Sequence, residues 1–186
     1  MSARPDLRSY ARASYLRELH GDRMGAVEAM KFAADAGAAG QENRSWALYN
    51  LGNIFLNWGK LDTAEFIYKG ILEERPNYAY AMSGLAMVSA ARKNYPSAVE
   101  YLVKASQLEP EHIFVEQLAD IYSAMGQKDA AAQMEKKALD AFALHEKDGW
   151  NIDREFAVFC MNHDINIPEA KQRAEKQYKV RPDNID

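Results

Sequence analysis

Hydrophobic residues return at helical spacing along nearly the whole chain, in short runs parted by glycine, proline or small polar clusters. In SWALYNLGNIFLNW, Leu48, Leu51, Ile54 and Phe55 share one face and Gly59 closes the run, so a helix is predicted there. The next run, LDTAEFIYKGILEERP, predicts a second helix. Asp62 stands at its start with Glu65 three positions on, a capping-box arrangement, and Pro76 ends it because proline cannot continue helical hydrogen bonding. NIPEAKQRAEKQYKVRP repeats the logic, with Asn166 as cap, Pro168 in the first turn, Glu169 three after the cap and Pro182 as the stop. The chain reads as pairs of helices.

The pairs are periodic. Gly52 and Ala86, Ala64 and Ala98, and Pro76 and Pro110 are each 34 positions apart, which points to stacked supersecondary units. Ala131 follows Ala98 by 33 positions, and small residues continue the pattern outward to Ala26 and Ala170. Small side chains let two helix backbones approach, and Phe55, Tyr68 and Leu102 fill the space beside them.

These residues resemble the tetratricopeptide repeat. The match runs through Leu48, Leu51-Gly52, Phe55, Ala64, Tyr68, Ile71 and Pro76, then Met82, Leu85-Ala86, Ala98, Leu102, Ala105 and Pro110. A third unit has Leu118-Ala119, Tyr122, Gly126, Ala131 and Ala138 without the proline, and two weaker units flank these three. ASYLRELHGDR and NIDREFAVFCMNHD are also similar to segments of larger bacterial proteins with such repeats. The resemblance implies an all-α, right-handed α-α superhelix of about five hairpins, at residues 7–40, 45–78, 79–111, 112–145 and 151–184. It further implies a single solenoid over residues 1–186 within a longer array. VRPDNID parallels ERPNYAY, which leads into a further helix, so more repeats are expected after it.

Two connectors exceed the repeat. DAGAAGQENRS is about four residues long in excess, and AFALHEKDGW about five. The second is expected to extend the preceding helix; a linker between domains is the alternative, but Phe142, Leu144 and Trp150 are apolar enough to pack, which favours one continuous solenoid.

Composition removes several classes of function. With 23 basic and 27 acidic side chains the net charge is -4, which disfavours a nucleic-acid binder that must displace counterions from phosphates. The uncharged stretch from Tyr78 to Ala91 is too short to cross a bilayer. The start of the sequence lacks the apolar core of a secretory signal, which leans the reading toward the cytoplasm. Cys160 is the single cysteine, so no internal disulfide forms. No phosphate-binding glycine loop or nucleophile elbow is present, and His20, His112, His145 and His163 show no metal-ligand spacing, so neither cofactor nor metal is expected. Cys160 and His163 lie one helical turn apart as a conceivable nucleophile and base, but the apolar run around Cys160 favours a buried thiol. Arg4, Arg8 and Arg12 make a basic helical stripe.

The resemblance implies that the first helix of each unit lines a concave groove that binds an extended peptide. The positions that would face it are Tyr15 in the first unit and Trp46, Tyr49, Asn50 and Asn53 in the second. Tyr80 and Met87 would follow in the third, Glu116 and Asp120 in the fourth, and Phe159 in the fifth. Asn50, Asn53 and Asn57 form one polar stripe, although asparagine is a poor helix former. Carboxamides pair with both polar groups of an extended backbone, and Trp46, Tyr49 and Tyr80 are of the types that dominate binding hot spots. Ala11, Tyr15, Tyr80 and Gly84 stand where a carboxylate clamp of the chaperone-binding kind needs basic residues or asparagine, so that clamp is not expected. Charge along the expected groove runs from Arg8 and Arg12 to Glu116 and Asp120, a gradient that would orient a partner segment. The function expected is a non-catalytic protein-binding scaffold. A self-associating spacer or the regulatory arm of a larger protein is the alternative.

Overall fold

The computed structural model describes residues 6–180, which hold ten α-helices and no strand. Arg4 and Pro182, invoked above, lie outside them. The described chain parts at Glu109 and Pro110 into two compact units. The first contains α1 (Leu7–Leu19), α2 (Arg23–Asp35), α3 (Glu42–Asn57), α4 (Leu61–Glu74), α5 (Ala79–Ala91) and α6 (Tyr95–Leu108). The second contains α7 (His112–Ala124), α8 (Lys128–Lys147), α9 (Asp153–His163) and α10 (Ile167–Val180). Consecutive helices pack as five hairpins, three in the first unit and two in the second.

Within the first unit α3 packs on both α2 and α4, and α5 on α4 and α6, while α3 also touches α1 and α5. The small residues do what the spacing implied. Ala64, Ala86 and Ala98 are wholly buried, and Gly52 and Gly84 press against the two sides of the Tyr68 ring. Tyr68, Ile71 and Tyr78 join Leu85 and Val88 in one apolar cluster, where burial of each large side chain is worth about 1.5–3 kcal/mol. Val27, Met30, Leu51 and Ile54 form a second cluster at the α2–α3 junction.

Side chains cap the starts of α1 and α2, glycine closes α3, and the start of α4 departs from what its sequence implied. Asp6 accepts from the Ser9 amide at 2.8 Å to cap α1, and Asp22 accepts from the Gly25 amide at 2.9 Å to cap α2. Gly59 closes α3 at φ 71°, a left-handed turn that costs glycine nothing. The capping box expected at Asp62 does not form. Lys60 is the cap of α4 and contributes no side-chain bond, while Asp62 and Glu65 both accept from Arg92, each at 2.5 Å. A guanidinium at the end of α5 thus claims both carboxylates, a charge-assisted pairing stronger than a neutral cap.

The long connectors also resolve. Arg44 ties the first down, donating to the Ala34 carbonyl at 3.0 Å and to Glu74 at 3.1 Å. The second extends α8 to 20 residues as expected. Phe142 packs fully, whereas Leu144 is 57% and Trp150 69% exposed, so the packing expected of these two fails. They sit beyond Phe142, where the extra turn has outrun the hairpin core. That core holds Phe142, Phe156, Phe159, Cys160 and Ala170. Over its edge Arg173 lies 4.1 Å from the Phe156 ring and reaches Glu146, Asp153 and Glu169.

Candidate functional site

Helices α1 and α3 stand side by side in the first unit, and between them opens a cleft of about 700 Å³. Arg8, Arg12 and Tyr15 enter it from α1 at helical spacing; Trp46, Asn50, Asn53 and Asn57 enter it from α3. Met30 and Ile54 close its floor. Tyr15 is 55% and Trp46 41% exposed, large apolar surface turned toward solvent. The asparagine stripe is partly explained by the protein itself. Asn50 donates through Nδ2 to the Trp46 carbonyl at 2.8 Å, and Asn53 accepts through Oδ1 from the Tyr68 hydroxyl at 2.7 Å. Asn50 retains its amide oxygen and Asn53 its amino group for a ligand. Asn57, the last residue of α3, is exposed.

Other expected groove residues fall elsewhere. Tyr49 packs against Tyr68 at 6.1 Å and Tyr80 at 5.6 Å, and Tyr80 meets Tyr78 at 5.7 Å. Tyr49 and Tyr80 are half-buried over the central apolar cluster and do not line the α1–α3 cleft. Met87 is half-buried on α5, also outside it.

In the second unit Glu116 and Asp120 occupy one face of α7, four residues apart. Glu116 is pushed up to about 7 by burial first, then by the neighbouring charges of Asp120 and Glu155. Its Oε1 is buried without a hydrogen-bond partner, 3.8 Å from His112 Nε2. Phe159 is no groove residue: it is 2% exposed, wedged between the rings of Phe142 at 5.6 Å and His163 at 4.4 Å. An aromatic flanked by two rings gains more from the core than from water.

Cys160 is fully buried, and burial pushes its thiol up to about 11. The His163 nitrogens face Glu135 at 3.2 Å and Asp120 at 3.4 Å, so the thiol–imidazole pair considered from sequence does not assemble. What the sequence reading missed is a different histidine pair. His112 and His145 come within 5.2 Å, ring centre to ring centre, and with Glu111 they bring three possible metal donors within 4.8 Å of one another. The two histidines are 33 positions apart, so ligand-spacing rules that work along one segment pass over them; the extended α8 was the available signal.

No described helix is long and apolar enough to cross a membrane. A family model for the tetratricopeptide repeat matches residues 47–78, which cover most of α3 and all of α4. The solved structures agree on the fold. TTC0263, a thermophilic tetratricopeptide-repeat protein of Thermus thermophilus, has 19% identity and a TM-score of 0.65, over 96% of this chain and 93% of its own. A MamA crystal structure has 20% identity and a TM-score of 0.55, over 89% of this chain and 96% of its own. MamA residues 41 to the end from Desulfovibrio magneticus RS-1 has 19% identity and a TM-score of 0.54, with 97% of each chain covered. Comparison with curated protein sequences finds no match. The fold is the all-α tetratricopeptide-repeat solenoid.

Proposed function

We propose that the chain is a non-catalytic scaffold that binds an extended segment of a partner protein, held in the cleft between α1 and α3. Repeats of this fold serve in general as protein–protein interaction scaffolds. The observation that carries the reading is the meeting of nine polar or aromatic side chains from two helices, Ser14 and Glu18 among them, in one cleft of about 700 Å³, with Tyr15 and Trp46 exposed inside it. That volume suits a short run of side chains. Trp46 and Tyr15 offer rigid apolar area, Asn50 and Asn53 offer amide groups to a peptide backbone, and Arg8 and Arg12 select an acidic side chain.

The test is a random-sequence peptide display selection on the intact chain, followed by fluorescence anisotropy of the selected peptides. Enrichment of acidic residues beside apolar ones is expected, with Trp46→Ala weakening binding about 30-fold, the effect of losing roughly 2 kcal/mol. Equal affinity for native and variant chains contradicts the cleft. A second reading, self-association, is favoured by the exposure of Leu19 at 63% and Met24 at 73% on the first hairpin. Sedimentation showing a concentration-dependent mass, abolished by Met24→Glu, would support it.

A further inference from the structure

We propose that Glu111, His112 and His145 form a divalent-metal site, suited to Zn²⁺, at one end of the α7–α8 hairpin. Two imidazoles and a carboxylate are a donor set that Zn²⁺ accepts, and three protein ligands leave a fourth position for water. The site arises where the repeat is irregular. Helices α2, α4 and α6 run 13 or 14 residues, whereas α8 runs 20, and its added turn carries His145 past Phe142 to the start of α7. The Phe142 ring supports His112 at 4.8 Å, and the His145 ring stands edge-on to it at 5.2 Å. Glu111 occupies the cap position of α7 but makes no side-chain cap bond, which leaves its carboxylate for another partner.

A separate observation marks the same place. His112 Nδ1 is buried with no hydrogen-bond partner, while Nε2 faces Glu116. A buried nitrogen without a partner is destabilising, and a metal ion on Nδ1 satisfies it. In a tetrahedral site donor atoms stand about 3.3 Å apart. Binding therefore draws the present group, spread over as much as 4.8 Å, inward by about 1.5 Å. Glu111 and His145, half-buried at helix ends, have the rotamer freedom for it.

The experiment is calorimetric titration of the full chain, without any affinity tag, with zinc chloride, repeated with Co²⁺ to read its visible ligand-field absorption. One equivalent binds the native chain and raises its melting temperature. Glu111→Gln and His145→Ala each weaken binding tenfold or more at unchanged helicity, since even removing a group that only orients a metal ligand costs about tenfold. His163→Gln, which removes the imidazole facing Asp120 and Glu135, binds as the native chain does. Absence of saturable binding, binding that survives His145→Ala, or binding lost in His163→Gln overturns the site.

Discussion

At the scale of single residues, Tyr68 organises the first unit. Its ring lies between backbone that only glycine allows: a Cβ at Gly84 would stand 2.5 Å from Tyr68 Cε1, and one at Gly52 would come closer still. Gly52→Ala or Gly84→Ala should therefore destabilise the first unit by about 1–3 kcal/mol, the overpacking range. Gly70 is the control, since it lies within α4 and a Cβ there meets nothing within 4 Å. Gly70→Ala should be stabilising, by up to about 1 kcal/mol. Denaturant unfolding followed by circular dichroism separates these outcomes, and equal effects at positions 52 and 70 would contradict the wedge. The role of Gly52 was legible in the sequence, because close approach needs a small residue and the period located it. The partner of Asn53 was not. That bond depends on the direction in which the Tyr68 hydroxyl points, which no spacing encodes. Asp62 failed as a cap for a related reason: Arg92, 30 positions away, competes for the carboxylate.

At the scale of helices, charged side chains fasten the end of the second unit. Asp153 is nearly buried and receives Lys176 at 2.8 Å and Arg173 at 3.4 Å. Burial alone would raise its pKa; hydrogen bonds from Lys176 and Gln177, with the charges of Lys176 and Arg173, outweigh it and hold the carboxyl below its ordinary value. A folded pKa below the unfolded one means that this stabilisation is complete above the ordinary carboxylate range. It is lost as pH falls through that range toward the folded value. Asp153→Asn should cost about 2 kcal/mol at neutral pH and flatten the acid limb of the stability curve. Thermal melts across that range test it, and parallel native and variant curves would contradict it. The extension of α8 was readable from the surplus in its connector. The fates of Phe159, Leu144 and Trp150 were not, because helical periodicity names a face without saying how far the neighbouring core reaches.

At the scale of the whole molecule, periodic small residues reveal a repeat protein, whatever the fate of single side chains. The division at Glu109 and Pro110 left little mark in the hydrophobic pattern, which passes through Pro110 with a slip of one residue, from 34 positions to 33. The first unit gathers Arg8, Arg12, Tyr15, Trp46 and three asparagines in one cleft, and we take that cleft as the working surface. Amide hydrogen–deuterium exchange on the intact chain, with and without a selected peptide, tests this most directly. Ordering by a ligand slows local opening where it binds. Slowed exchange is expected in α1 and α3, residues 7–19 and 42–57, with no such slowing for a Trp46→Ala chain at the same peptide concentration. Protection confined to other helices, or protection of α1 and α3 that Trp46→Ala leaves intact, would contradict it.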